Sequence, residues 1–105
     1  MHGVLITFHS AAPIDALEAP FTAYAEQLRS IPGLITKVWI RDGETVGGFH
    51  VFADRSAADR YLGSELVAGL TSNEAFSDFA IERYEVLEQL SLITGMPSVQ
   101  LAGAT

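Results

Sequence analysis

The sequence contains no cysteine and a single lysine, and only 18% of its residues are charged. Without cysteine, neither a disulfide framework nor a thiolate metal site can form. No apolar run approaches the roughly 20 residues of a membrane-spanning helix. The start, Met1-His2-Gly3, also lacks the charged beginning of a signal peptide. We therefore expect a cytoplasmic protein.

Basic residues are scarce as a group. Six Lys and Arg stand against thirteen Asp and Glu, which gives a formal net charge of −7. Phosphate backbones and anionic lipid surfaces attract basic proteins and repel acidic ones. Nucleic acid and membranes are therefore not expected as partners.

Apolar residues are abundant by comparison, at 49% of a chain of 105 residues. This length suits one domain with one core, and we expect residues 1–105 to form a single domain whose tail, from about residue 94, frays. A small domain normally exposes many polar side chains. The apolar excess therefore predicts a subunit interface, an apolar ligand pocket or both.

The hydrophobic pattern predicts the order strand, helix, hairpin, helix, strand. We expect strands at residues 3–9, 34–41, 45–53 and 78–87, a helix beginning near Pro20, a helix capped by Asp54 or Ser56, and a further helical piece at 64–70. This order is that of the α+β ferredoxin-like fold, βαββαβ, with an antiparallel sheet and both helices on one face. Since the other sheet face is also largely apolar, we expect a second copy of the chain to cover it.

The turn Asp42-Gly43 decides which residues of the hairpin share a face. If these are its two central residues, Lys37 lies opposite Gly48. The shared face then carries an ammonium, an indole and an imidazole among apolar groups: Lys37, Trp39 and His50 with Ile35, Val46, Gly48 and Phe52. A few polar groups in an apolar surround are typical of a pocket that orients a small organic ligand.

Several of these residues have a structural interpretation beside the functional one. Lys37 extends to an edge of the sheet, meets a carboxylate, or binds a ligand or takes part in catalysis. His50 either moves a proton or is a satisfied core histidine. His9, near the end of the first strand, has the same two interpretations. Three histidines without regular spacing do not predict a metal site.

A set of short motifs resembles the YdhR-like monooxygenase family over roughly residues 13–93. The motifs are Ile31-Pro32-Gly33-Leu34, Lys37-Val38-Trp39, Gly47-Gly48, Phe52-Ala53-Asp54, Ala58 with Tyr61-Leu62, Tyr84-Glu85-Val86, Glu88 and Leu90-Ser91. The resemblance implies a dimeric α/β barrel and an activity like that of the cofactor-free oxygenases of aromatic polyketides. The hairpin is shorter, and the C-terminal tail longer, than the family leads us to expect.

The leading hypothesis is a homodimeric, cofactor-independent monooxygenase-like enzyme that acts with O2 on an aromatic or polyketide-like small molecule. In this hypothesis His50 or His9 takes a proton and Lys37 stabilises an oxyanion, while the substrate is bound by Trp39, Phe52, Tyr84 and Thr7. No cofactor and no metal ion is expected. The alternatives are a redox-neutral cyclase or isomerase of secondary metabolism, and a non-catalytic small-molecule-binding protein.

The expected pairing of two chains can be tested in solution. Sedimentation at micromolar concentration should give a species of twice the chain mass of 11.3 kDa, because the second sheet face is too apolar to remain in water. A well-folded species of 11.3 kDa alone would contradict this expectation.

Overall fold

The four strands of the protein form one antiparallel sheet in the order β2-β3-β1-β4. The structure is a computed structural model that describes residues 1–97. Its elements are β1 (His2–Ser10), α1 (Ile14–Leu28), β2 (Leu34–Asp42), β3 (Thr45–Phe52), α2 (Arg55–Leu62), α3 (Glu65–Thr71), β4 (Phe76–Glu85) and α4 (Glu88–Ile93). The predicted α+β ferredoxin-like fold is confirmed. Most of the tail expected to fray lies outside the described residues.

Helix α1 begins at Ile14, so the prediction that it begins near Pro20 is wrong. Pro20 lies exposed inside the helix, where it removes one backbone hydrogen bond. The helix starts earlier because it buries an apolar stripe on the sheet, and that stripe begins with Leu17 and ends with Leu28. Burial of these side chains outweighs the local cost of the proline.

Helix α2 is capped by Asp54, whose side chain accepts a hydrogen bond from the Ala57 amide at 2.8 Å. Ser56 therefore lies inside the helix, and its predicted role as a cap is wrong. Asp59, further along the same helix, accepts a hydrogen bond from the Arg83 guanidinium at 2.6 Å. Ser64 caps the separate helix α3. This helix corresponds to the further helical piece predicted at residues 64–70.

The hairpin of β2 and β3 turns one residue later than predicted. Asp42 pairs with Thr45, so Gly43 and Glu44 are the central turn residues, and Gly43 has φ +60° as the first position of a type II′ turn requires. Lys37 therefore pairs with His50 rather than with Gly48. Each paired residue of β2 from Thr36 onward thus meets a residue of β3 two positions later than predicted. Since side chains alternate between the faces with a period of two, every side chain between Thr36 and Phe52 keeps its predicted face.

Strand β4 also starts earlier than predicted, at Phe76 rather than Asp78. The rings of Phe76 and Phe79 lie 4.7 Å and 5.0 Å from the ring of Phe8, which draws this end of the strand into the core. Asp78 between them has φ +56°, close to the point where the pairing of β4 with β1 shifts register. This irregularity is why simple alternation placed the strand too late.

The core lies between the sheet and helices α1 to α3. It consists of Val4, Ile6, Phe8, Leu28, Val46, Phe52, Ala57, Ala58, Tyr61 and Val67. The opposite sheet face is more open, and its side chains Val38 and Tyr84 are 57% and 47% exposed. Helix α4 also exposes Leu90 and Ile93. None of the helices in residues 1–97 is both long and apolar enough to cross a membrane.

Gly47 marks the tightest backbone contact of the sheet. A Cβ at this position would collide with the Ile6 carbonyl oxygen and lie 2.8 Å from the Thr7 Cα. The backbone of β1 cannot yield without loss of sheet pairing, so we expect Gly47→Ala to lower the free energy of unfolding by about 2 kcal/mol or more.

The control for this prediction is Gly69→Ala in helix α3. A Cβ at Gly69 meets nothing within 4 Å, so this substitution should raise the free energy of unfolding by about 0.5–1 kcal/mol through helix propensity. Urea unfolding of both variants measures the difference. Equal stability of the two variants would contradict the assigned contact.

Candidate active site

A small cavity lies between the sheet and the helices. Its lining is mainly apolar and aromatic, with two charged or titratable groups from the hairpin: Ile6, Phe8, Phe21, Tyr24, Lys37, Trp39, Gly47, Gly48, His50, Tyr61 and Leu70. The volume open to the centres of water molecules is about 20 Å³. That is room for about one water molecule, so the aromatic side chains fill most of the space.

The Lys37 side chain runs across the sheet surface toward this cavity. Its Cε lies where a Cβ of residue 48 would be, so only glycine at position 48 leaves room for it. The ammonium lies 3.5 Å from the centre of the Trp39 ring and 5.1 Å from that of Tyr24. Both distances are in the range of cation–π attraction.

The described residues include no ion pair of Lys37 with a carboxylate. Among residues 1–97, the rings of Trp39 and Tyr24 are therefore its charge-stabilising contacts. Burial disfavours the charged form and lowers the pKa of Lys37 from 10.5 to about 8. The lysine is thus a cation at neutral pH that loses its proton much more readily than a lysine in water.

His50 is the cross-strand neighbour of Lys37 and is only 1% exposed. Its Nδ1 lies 3.0 Å from the Val4 carbonyl oxygen. A carbonyl can only accept, so Nδ1 carries the hydrogen and donates it. Nε2 of the neutral ring is then an acceptor, and it has no partner within the described part of the chain.

The environment of His50 keeps the imidazole neutral. Burial is the main cause that lowers its pKa from 6.5 to about 4, and the positive charge of Lys37 acts in the same direction. The carbonyl groups of Val4 and Gly48 oppose this shift only in part. The ring stacks beside Phe52, with centroids 6.2 Å apart, so it is held firmly in one orientation.

Two tyrosines that the sequence analysis missed complete the polar part of the site. The hydroxyl groups of Tyr24 and Tyr61 lie 2.6 Å apart, and burial raises the pKa of both. One hydroxyl donates to the other, so the accepting hydroxyl keeps a hydrogen for a ligand. The sequence does place Tyr24 at helical spacing from Leu17 and Leu28. This pattern predicts that Tyr24 packs in the core, but it does not indicate a role in the site.

The structure brings together only some of the residues predicted from the sequence. Lys37, Trp39 and His50 border the cavity, and Phe52 supports the His50 ring from the side. Thr7 and His9 lie on the opposite face of the sheet, because they alternate with the core residues of β1. Tyr84 lies on the same face as they do, because it pairs with Gly3. There, His9 lies 3.9 Å from the Glu44 carboxylate, and the Tyr84 hydroxyl donates to Glu82 at 3.1 Å.

A larger hollow lies outside the cavity, between α1 and α3. It shares Phe21, Tyr24 and Leu70 with the cavity lining, and its volume is about 490 Å³. Polar side chains at its border include Gln27 and Glu65. These three side chains separate the two spaces, and the volume of the hollow is within the range of small-molecule sites.

The low pKa of His50 predicts a specific loss of stability in acid. Between pH 6.5 and about 4 the unfolded chain binds a proton at His50 that the folded protein does not. The free energy of unfolding therefore falls as the pH drops through this window, by about 3 kcal/mol in total. Urea unfolding of His50→Gln across this range should show a shallower pH dependence than that of the wild-type protein.

His2 provides the control, because burial lowers its pKa as well and it accepts a hydrogen bond from Arg83 at 3.0 Å. His2→Gln should remove only the part of the pH dependence of the free energy of unfolding that His2 itself causes. The part caused by His50 should remain. An unchanged pH slope in His50→Gln would show that this imidazole is not held neutral by burial.

The comparisons with known proteins agree with this architecture. The family described as "Putative mono-oxygenase ydhR" matches residues 4–97, which is most of the chain. A search of curated protein sequences gives no significant match.

Three solved structures illustrate the similarity of the fold. SnoaB from Streptomyces nogalater, a cofactor-independent oxygenase, is 16% identical, with a TM-score of 0.67 over 83% of this chain and 93% of its own. A "putative antibiotic biosynthesis monooxygenase" from Deinococcus radiodurans is 18% identical, with a TM-score of 0.65 over 84% and 94%. A MhuD variant with manganese protoporphyrin IX in its active site is 14% identical, with a TM-score of 0.65 over 83% and 95%.

At these identities the solved structures establish the fold alone. The family match rests on the sequence itself and includes every residue that borders the cavity. The chain therefore belongs to the ydhR family, whose description is "Putative mono-oxygenase ydhR".

Proposed function

We propose that this protein is a cofactor-independent monooxygenase that oxidises an electron-rich phenol or enol with O2. The observation that carries the proposal is the pair of Lys37 and His50 in the aromatic cavity. A buried imidazole with a free acceptor atom lies on the strand next to a lysine that the described residues leave without a carboxylate. One group can accept a proton, and the other can stabilise the anion that remains.

The first step is deprotonation of the substrate. The substrate hydroxyl donates its proton to His50 Nε2, and the oxyanion is held by the Lys37 ammonium. With a pKa of about 8, about nine in ten Lys37 side chains are cationic at pH 7. The cavity excludes most water, so this charge acts on the oxyanion in a medium of low polarity.

The second step is oxidation of the anion, which is a much better electron donor than the neutral phenol or enol. The ring C–H carbon that shares the negative charge of the anion becomes C=O. One oxygen atom of O2 enters the product there, and the other leaves as water with the hydrogen of that carbon and the proton held by His50. The substrate supplies all four electrons, so the balance needs no further reductant. The free hydrogen of the Tyr24 and Tyr61 hydroxyl pair can donate to the developing oxygen anion.

The substrate class follows from the shape and chemistry of the lining. The Phe21 and Trp39 rings lie 5.3 Å apart, and Tyr24 meets Trp39 edge-on at 6.2 Å. Flat aromatic ligands bind such walls well. The cavity alone is too small for a ring system, so the reacting edge enters it while the remaining rings occupy the hollow between α1 and α3.

A homodimer belongs to the same proposal. The sheet face away from the helices exposes Val38, Ile40 and Tyr84, and α4 exposes further apolar side chains. Burial of this surface against a second copy would remove it from water. We place the enzyme in the cytoplasm and in secondary metabolism, in keeping with the antibiotic-biosynthesis name of the neighbour from Deinococcus radiodurans.

Oxygen uptake with anthrone, a tricyclic ketone that reacts through its electron-rich enol, tests the proposal. His50→Gln should lower the rate of uptake by about 100-fold or more, because it removes the base. Lys37→Met should lower it by at least about tenfold, because it removes the cation. Label from ¹⁸O2 should appear in the product by mass spectrometry.

Tyr84→Phe is the matched control, since Tyr84 lies on the opposite sheet face and should leave the rate unchanged. Full activity of His50→Gln would refute the assigned base. Because anthrone only stands in for the natural substrate, the assay is repeated with other polyketide-like compounds, and their products are identified. Product formed equally fast without O2 would instead support a redox-neutral cyclase or isomerase, which the same proton-transferring groups could serve.

A further inference from the structure

Lys37 lines two spaces. One is the inner cavity, and the other is an open hollow at the outer edge of β2, beside Leu34, Thr36 and Trp39. The outer hollow has a volume of about 390 Å³. Lys37 is therefore bordered by open space at the edge of the sheet as well as by the enclosed cavity.

The contacts of this amine leave its lone pair available once the proton is lost. Its described neighbours are the faces of the Trp39 and Tyr24 rings, which attract a cation but form no directional bond with a neutral amine. Amines that react as nucleophiles in enzymes are typically desolvated in such apolar pockets, because burial favours the uncharged form. In this chain the feature is confined to one residue, since Lys37 is the only lysine.

We infer that Lys37 is a nucleophile that forms an imine with small aldehydes and ketones. This goes beyond the proposed oxidation, in which the same side chain acts as a cation and forms no covalent bond. It needs no O2, so the two can succeed or fail independently.

The chemistry balances without an added reactant. The neutral amine attacks the carbonyl carbon, a C–N bond forms, and the carbonyl π electrons move to oxygen to give a carbinolamine. The C–O bond then breaks, both amine hydrogens leave with the oxygen as water, and the C=N bond of the imine remains. His50 Nε2, the buried acceptor without a partner in residues 1–97, lines the same cavity and can relay a proton from nitrogen to oxygen.

Reductive trapping tests this inference on the intact protein. The protein is incubated with propanal and cyanoborohydride at pH 7.5, and peptide mapping separates a propyl group on Lys37 from one on the Met1 amine. With a pKa of about 8, roughly a quarter of Lys37 is uncharged at this pH, against about one in a thousand for an ordinary lysine. Trapping at Lys37 should be at least about tenfold faster than at Nα-acetyl-lysine amide.

Two controls separate the folded site from lysine chemistry in general. The first control is the same chain unfolded in about 8 M urea. Its Lys37 should be trapped only as fast as the free amide. The rate on the folded protein should rise to half its maximum near pH 8, whereas that of the amide should continue to rise well above it.

Lys37→Arg distinguishes this inference from the proposed oxidation. Arginine keeps the positive charge but is not a nucleophile at this pH, so trapping at position 37 should vanish while part of the anthrone-dependent oxygen uptake persists. Wild-type trapping confined to Met1, or no faster at Lys37 than at the free amide, would overturn the inference. Neither result depends on whether the arginine variant folds.

Discussion

The position of the Lys37 side chain depends on the missing side chain of Gly48. A Cβ at that position would collide with the Lys37 Cε, so any other residue would displace the end of this side chain. An ammonium that moved away from Trp39 and Tyr24 into water would have a pKa nearer the ordinary value, because burial is the cause of the lowering. The missing Cβ of Gly48 thus leaves room for the lysine in its buried position.

The neighbouring glycine serves the other side of the same strand. Gly47 lets the β3 backbone approach the Ile6 carbonyl, while Gly48 leaves room on the helix side. Two adjacent glycines weaken a strand, yet β3 tolerates them because it is paired on both sides, with β2 and with β1. The fixed backbone between two paired strands in turn holds His50, two residues further along, against the Val4 carbonyl. The strand pairing that stabilises the sheet therefore also fixes the geometry of the site.

The sequence predicted the features that depend on alternation. The common face of Lys37, Trp39 and His50 follows from a two-residue period, which survived an error in the position of the turn. Alternation could not place residues of β1 and β4 relative to the helices without knowledge of the pairing, so Thr7, His9 and Tyr84 were grouped with a site on the other face. Tyr24 and Tyr61 lie on different helices and are 37 positions apart in the sequence. Their contact therefore cannot be predicted from any local sequence pattern.

Burial changes both titrating groups of the site in the same direction. In water, a neutral imidazole and a cationic amine coexist between about pH 6.5 and 10.5. In this cavity the lower limit falls to about 4 with His50 and the upper limit to about 8 with Lys37. The window keeps its width of about four pH units but moves toward acid, so at neutral pH the base is fully available while the amine is close to its own titration. A lysine near that limit can hold an oxyanion as a cation and still supply a neutral fraction that reacts with carbonyl compounds.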